Sequence, residues 1–113
     1  MSTTMIPLDL ARRQELTELA RVKGLDNPCL KTADMRRLTG MIPSEYAYFH
    51  KYHLLGGTKS GRLIWFSVRD VLILRELLAM RRSRVQSHYL QLRRDVLRHA
   101  EVVEEEGLLT LKP

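Results

Sequence analysis

Cys29 is the only cysteine in 113 residues, so no intrachain disulfide can form, and a reduced, cytoplasmic setting is the simplest expectation. With neither a base nor exposure evident for it, the lone thiol reads as a small apolar packing residue. No apolar run approaches the roughly 20 residues of a membrane span. The opening stretch Met1–Leu10 has neither the basic nor the long apolar segment of a signal peptide. A Gly-rich phosphate loop, a nucleophile elbow and a zinc-protease helix motif are all missing. Adjoining carboxylates occur only as Glu104-Glu105-Glu106, which reads as a solvated helix end. Catalysis is therefore not expected. His50 and His53 have a helical spacing compatible with metal, but zinc takes three or four ligands, and only the distant Cys29, His88 or His99 could complete a set. Neither a metal nor a cofactor is expected.

Glycine and proline are absent from Val68 to Glu106, a span of 39 residues. The average helix is far shorter, which implies either one long helix or two with a bend near Ser83. Ser67 with Asp70 three residues on makes an N-cap and a partial capping box. Val71, Leu74, Leu77 and Leu78 would pack on a core. Val85, Tyr89, Leu92, Val96, His99 and Val103 alternate between spacings of four and three, the pattern of a coiled-coil seam with one polar position. Arg93, Arg94, Arg98, Glu101, Glu104 and Glu105 flank that seam and would set antiparallel pairing by charge. A homodimer is expected from it, the alternative being a single amphipathic helix folded back on its own domain.

What the chain has in excess is positive charge, and it is unevenly placed. The formal net charge is +6. Residues 1–30 are balanced, residues 31–98 carry fourteen basic against five acidic groups, and residues 99–113 carry one against four. Clustered positive charge is the electrostatic footprint of phosphate binding, although a solvated basic face without a partner would have the same composition.

The basic segment also holds the most ordered pattern. A first helix is expected over Leu8–Lys23, stopped by Gly24, with turn chemistry at Leu25-Asp26-Asn27-Pro28. A short helix follows from about Lys31 to Leu38, with Met35 and Leu38 inward. Thr39-Gly40 forms a corner that suits glycine, because a left-handed helix end leaves no room for a Cβ. Pro43 suits the first turn of a third helix running to about Leu55. Tyr46, Phe49, His53 and Leu54 share its inner side, and Ser44, Glu45, Ala47, Tyr48 and Lys51 lie largely on the other. Gly56-Gly57 ends it. Thr58–Phe66 then reads as a hairpin with Lys59-Ser60-Gly61-Arg62 at its tip, which must pack on the helices through Trp65 and Phe66. Helix, tight turn, helix and hairpin is the order that a winged helix-turn-helix uses to set one helix in a DNA major groove.

In its detail the stretch Lys31–Leu78 resembles the DNA-binding domain of MerR-type winged helix-turn-helix regulators. Leu38-Thr39-Gly40 matches the end of that family's first short helix, and His53-Leu54-Leu55 the end of its recognition helix. Phe66, Ser67, Asp70 and Val71 match the aromatic, cap and Asp-Val that follow the wing. The family usually has an Arg and two aromatics in the recognition helix where this chain has Ala47, Tyr48 and Phe49, and a small residue in place of Arg36. Nothing after Glu106 resembles an effector domain, and the cysteine cluster of metal-sensing members is absent. The resemblance implies a stripped-down DNA binder of the kind seen in excisionase-like, developmental or chromosome-organising relatives.

The expected architecture is mainly α, a winged helix-turn-helix with a short β-hairpin wing, an extra N-terminal helix and a long C-terminal dimerisation helix. Residues 1–28 form a helical extension, 29–82 the DNA-binding domain, 83–106 the dimerisation helix and 107–113 a tail. The expected function is that of a dimeric, sequence-specific double-stranded DNA-binding protein, a cytoplasmic, nucleoid-associated transcriptional regulator. Ser44, Glu45, Ala47, Tyr48 and Lys51 would face base edges or nearby phosphates, and Arg36, Arg37, Lys59, Arg62 and Arg69 would grip the backbone. Alternatives are an excisionase-like or partition-type architectural factor and a MerR-like adaptor that binds protein and not DNA. Residues 1–28 remain open as a surface for a protein partner.

Overall fold

The computed structural model describes residues 7–113. Residues 1–6, which open the expected extension and carry most of the stretch read against a signal peptide, lie outside the described residues. The rest is mainly helical, with two small antiparallel hairpins. Helix α1 spans Leu8–Lys23, α2 Thr32–Thr39 and α3 Pro43–Lys51. Strands β1 (Thr58–Ser60) and β2 (Leu63–Trp65) precede α4 (Val68–Arg82) and α5 (Ser87–Arg98). A second hairpin, β3 (Glu101–Glu105) and β4 (Leu108–Lys112), follows. Among the described residues no helix is long and apolar enough to cross a membrane.

Helix ends account for most of this geometry. Gly40 adopts φ 75°, and the Gly40 and Met41 N–H groups both donate to the Arg36 carbonyl at 2.9 and 3.2 Å. The Thr39 hydroxyl donates to the Met35 carbonyl at 2.9 Å and accepts from the Met41 N–H at 3.2 Å. The corner is therefore closed by its own Thr-Gly chemistry. Helix α3 ends at Lys51, four residues before the expected Leu55. The reason is His53, whose φ of 56° breaks the helix while its N–H donates to the His50 carbonyl and the Leu54 N–H donates to the Phe49 carbonyl. This is a Schellman ending built without glycine. His53 accordingly lies exposed, and Tyr46 is half-buried, whereas Phe49 and Leu54 are buried as expected.

The long C-terminal helix expected over residues 83–106 does not form. Arg84 takes φ 65°, the Arg84 N–H donates to the Arg81 carbonyl, and the Val85 N–H donates to the Met80 carbonyl. That second glycine-free ending stops α4 at Arg82. Helix α5 then stops at Arg98, and residues 101–112 pair as a hairpin with Glu105 opposite Leu108. Glu106 and Gly107 form its two-residue turn at φ 55° and 76°, as a type I′ turn requires. The expected tail over 107–113 is thus largely strand β4.

The seam expected from six residues is broken with the helix. Val85 sits half-buried in the α4–α5 corner, His99 caps α5, and Val103 lies half-buried on β3. Only Tyr89, Leu92 and Val96 remain together, exposed on α5 at 55%, 62% and 49%. The opposite side of α5 buries Leu90 and Leu97 completely.

Helix α1 is integral to this core. Leu16 is fully buried, and α1 packs on α2, α4 and β4. Arg37 donates to both Glu15 oxygens at 2.9 and 2.7 Å, joining α2 to α1. Arg75 on α4 donates to the Leu38 carbonyl at 2.8 Å and to Asp9 at 2.6 Å, so one side chain ties α2 and α1 together. Phe49, Phe66, Met35, Leu38, Leu74 and Leu77 complete the centre.

Candidate nucleic-acid interface

Helices α4 and α5 hold α3 in place. At its start, the Ile42 N–H donates to Glu45 Oε1 at 3.0 Å, the carboxylate half of a capping box that Ile42 cannot complete. The same carboxylate receives Arg82 Nε at 2.8 Å and Nη2 at 2.9 Å, and Arg82 Nη2 also donates to the Gly40 carbonyl at 2.9 Å. Arg82 thereby fastens the end of α4 to the turn and to the first turn of α3. The Arg82 hydrogen bonds hold the Glu45 carboxyl below its ordinary value, and Glu45 in turn raises the Arg82 guanidinium.

At its end, α3 meets α5. Gln91 Nε2 donates to the Tyr52 carbonyl at 3.0 Å, and Arg94 donates to the His53 carbonyl. Donors at a helix C-terminus satisfy carbonyls that lack intrahelical partners, and a cation there also suits the helix dipole. Along its flank, Tyr48 lies against Tyr52 at 4.7 Å between ring centroids and under the Arg81 guanidinium at 4.1 Å.

The β1–β2 hairpin is tied to the start of α2. The Leu30 and Phe66 backbones exchange hydrogen bonds of 2.9 and 2.7 Å, anchoring its second strand beside the start of α2. Gly57, at φ 81°, has no room for a side chain: a Cβ would sit 2.8 Å from Ile64 Cγ2 and 3.0 Å from the Trp65 carbonyl oxygen. Trp65 is half-buried with Lys31 Nζ 5.8 Å above its ring, and Phe66 is fully buried. Pairing sets Lys59 opposite Ile64, leaving Lys59 and Arg62 exposed near the tip.

These supports sort the expected contact residues into two sets. Ser44, Ala47, Lys51, Lys59 and Arg62 are exposed. The others have internal partners. Glu45 is held by Arg82, and Tyr48 is half-buried under Arg81. Arg37 is paired with Glu15 and, at 3.5 Å, with Asp34. Arg36 lies 5.7 Å over the Tyr46 ring. Arg69 donates to Asp26 at 2.7 Å and to the Ala100 carbonyl at 2.9 Å.

The exposed face of α3 includes one residue not foreseen for it, His50, at the helical step from Ala47. Two basic depressions border this face. One, of about 390 Å³, is lined by Ile42, Ser44, Glu45, Tyr48 and the arginines 81, 82 and 84. The other, of about 450 Å³, lies where α3, the β1–β2 hairpin and α5 meet, and includes His50, His53, Lys59, Arg94 and Arg98 in its lining. Arg94 and Arg98 were expected to flank a dimer seam, and the α4–α5 corner instead brings them beside α3 and the β1–β2 hairpin. Among the described residues no cluster of three or more His, Cys, Asp or Glu side chains could hold a metal ion. No protein-family model, curated protein or solved structure matches the chain significantly.

Proposed function

We propose that this chain is a winged helix-turn-helix protein of MerR-like type that binds double-stranded DNA sequence-specifically as a homodimer and acts as a nucleoid-associated transcriptional regulator. The observation that carries this reading is the exposed face of α3, with Ser44, Ala47, His50 and Lys51 set between two basic depressions and beside a hairpin bearing Lys59 and Arg62. A helix with its side chains is about 10–12 Å across, which the ~12 Å major groove admits. Helix α3 would enter that groove, with small and hydrogen-bonding side chains toward the base edges and cations at both ends toward the bordering phosphates. Glu45 and Tyr48, engaged internally, would position the helix; Arg36, Arg37 and Arg69 would brace the scaffold. Dimerisation would use the exposed Tyr89, Leu92 and Val96 of α5.

Selection of the full chain on random-sequence duplex pools at about physiological salt tests this. Enrichment of a two-fold-symmetric motif is expected, and its half-site spacing would report the dimer geometry. Binding without enrichment would favour an architectural DNA factor. Failure to bind any duplex would sink the DNA reading and favour a protein-binding adaptor, for which the same apolar α5 stripe would be the docking face.

A further inference from the structure

The groove at the junction of α3, the β1–β2 hairpin and α5 has an unusual composition. Each titratable side chain that lines it is a nitrogen base: His50, His53, Lys59, Arg94 and Arg98. The remaining lining is Leu55, Gly56, Gly57 and Ile64. Two carboxylates lie beside the groove without lining it, Asp70 in a small adjoining depression that also includes Arg94 and Arg98, and Asp95 next to Arg94. Asp70 accepts from the Ser67 N–H at 2.9 Å as part of the α4 cap, and Asp95 lies 3.6 Å from Arg94 Nη2. Arg94 also donates to the His53 carbonyl, and its Nε is buried without a hydrogen-bond partner. A buried guanidinium N–H left unpaired costs free energy unless something accepts from it. Cations from two separate elements, Lys59 on β1 and Arg94 and Arg98 on α5, converge here beside two imidazoles, and Arg94 alone has a carboxylate partner. Such convergence is unfavourable in the empty protein and favourable once a compact dianion or a phosphodiester enters.

We propose that this groove is a phosphate-binding site, in which Arg98 and Lys59 supply charge from opposite walls and His50 and His53 supply further donors. Its ligand chemistry is a tetrahedral phosphate oxyanion. The source is either the backbone of a bound duplex, which rests on the DNA reading above, or a free phosphorylated small molecule, which does not. In the first case α5 joins the nucleic-acid contact surface directly. In the second the groove is an effector site adjoining the hairpin and the end of α3.

The test uses the full chain and Arg98→Ala. Arg98 is exposed and the cap on α3 comes from Gln91 and Arg94, so the fold is expected to persist, checked by circular dichroism. Arg13→Ala, on α1 beside Leu72, Arg75 and Glu76, serves as the control. In one arm, duplex affinity is measured by fluorescence anisotropy across a salt series. In the other, inorganic phosphate is titrated into ¹⁵N-labelled protein, reading the Gly56 and Gly57 amides. A log–log salt slope shallower by about 0.9 in Arg98→Ala alone identifies a backbone phosphate in the groove. Phosphate-induced shifts at the glycines, lost in Arg98→Ala, with an unchanged duplex slope or no duplex binding, identify a free phosphate ligand. Duplex binding with an unchanged slope and no such shifts overturns the site while leaving the DNA reading intact. No duplex binding together with no phosphate-induced shifts overturns the site and the DNA reading together.

Discussion

Glu45 shows how a residue on the outer side of a helix can act inward. Its carboxylate serves the Ile42 N–H and the Arg82 guanidinium at once, and that pairing lowers its proton affinity. A carboxyl whose folded value lies below its unfolded one stabilises the protein at pH above the unfolded value, near 4.5, and loses that contribution as pH falls through the folded value. Glu45→Gln keeps an acceptor for Ile42 but removes the charge. We expect it to cost about 1 kcal/mol at pH 7, modest because Arg82 is half exposed. The gap from the native protein should close in urea-denaturation series as the pH falls below 4.5 and through the lowered folded value. A gap independent of pH would mean that shape, and not charge, is what matters at this position.

Two glycines of the β1–β2 hairpin separate backbone strain from crowding. Both have positive φ, 81° at Gly57 and 61° at Gly61. A Cβ at Gly61 meets nothing within 4 Å, whereas at Gly57 it meets the Ile64 side chain and the Trp65 backbone. Gly61→Ala should therefore cost only the left-handed conformation, about 1–2 kcal/mol, and Gly57→Ala distinctly more. Equal losses in thermal unfolding would show that the hairpin base shifts freely.

At the scale of elements, α1 to α4 and the first hairpin were legible from Gly24, Thr39-Gly40, Pro43, Gly56-Gly57 and Ser67, but the end of α3 was placed too late because His53, and not a glycine, takes the left-handed position there. The α4–α5 corner was legible only as one of two alternatives, a bend near Ser83, because Arg84 occupies a left-handed position that helix ends usually give to glycine. The second hairpin was obscured for a related reason. Its turn is Glu106-Gly107, and three glutamates before the glycine read as a fraying helix end. Yet the β-branched Val102-Val103 and the apolar Leu108-Leu109 flanking a residue–glycine pair are a hairpin signal. The candidate site was half legible. Its exposed residues followed from helical periodicity, but the ion pairs that withdraw Glu45 and Arg37 join segments far apart in sequence.

Helix α5 has two faces with opposite predicted behaviour. Leu97 is completely buried, so Leu97→Ala should cost about 2–5 kcal/mol. Leu92 is 62% exposed, and Leu92→Ala should change the stability of the isolated chain by no more than about 0.5 kcal/mol. Comparable losses from both substitutions, read by guanidinium unfolding at low protein concentration, would show that the stripe is covered by another surface.

At the scale of the molecule, charge is polarised: the excess of base lies in residues 31–98 and the excess of acid in residues 99–113. On the proposed DNA-binding function, Lys59→Ala combined with Arg62→Ala should weaken binding to all duplexes alike and reduce the salt slope by up to about 1.8, one phosphate contact for each cation removed. An unchanged slope by fluorescence anisotropy would remove the β1–β2 hairpin from the interface. Leu92→Glu tests the α5 stripe: it should abolish self-association in sedimentation velocity with little loss of secondary structure. A native protein that sediments as a monomer at all concentrations and on DNA would exclude the dimer.

The packing of α1 against β4 joins the first described helix to the last strand, with Leu109 and Leu111 against the core. During translation, α1 emerges long before its cover does. At roughly 5–20 residues per second, a ribosome needs several seconds to pass from Lys23 to Lys112. Throughout that interval the apolar side of α1 has only α2 and then α4 to cover it. A nascent chain arrested before β4 should therefore be sensitive to protease within α1 and recruit holdase chaperones, and release of the final strand should end both.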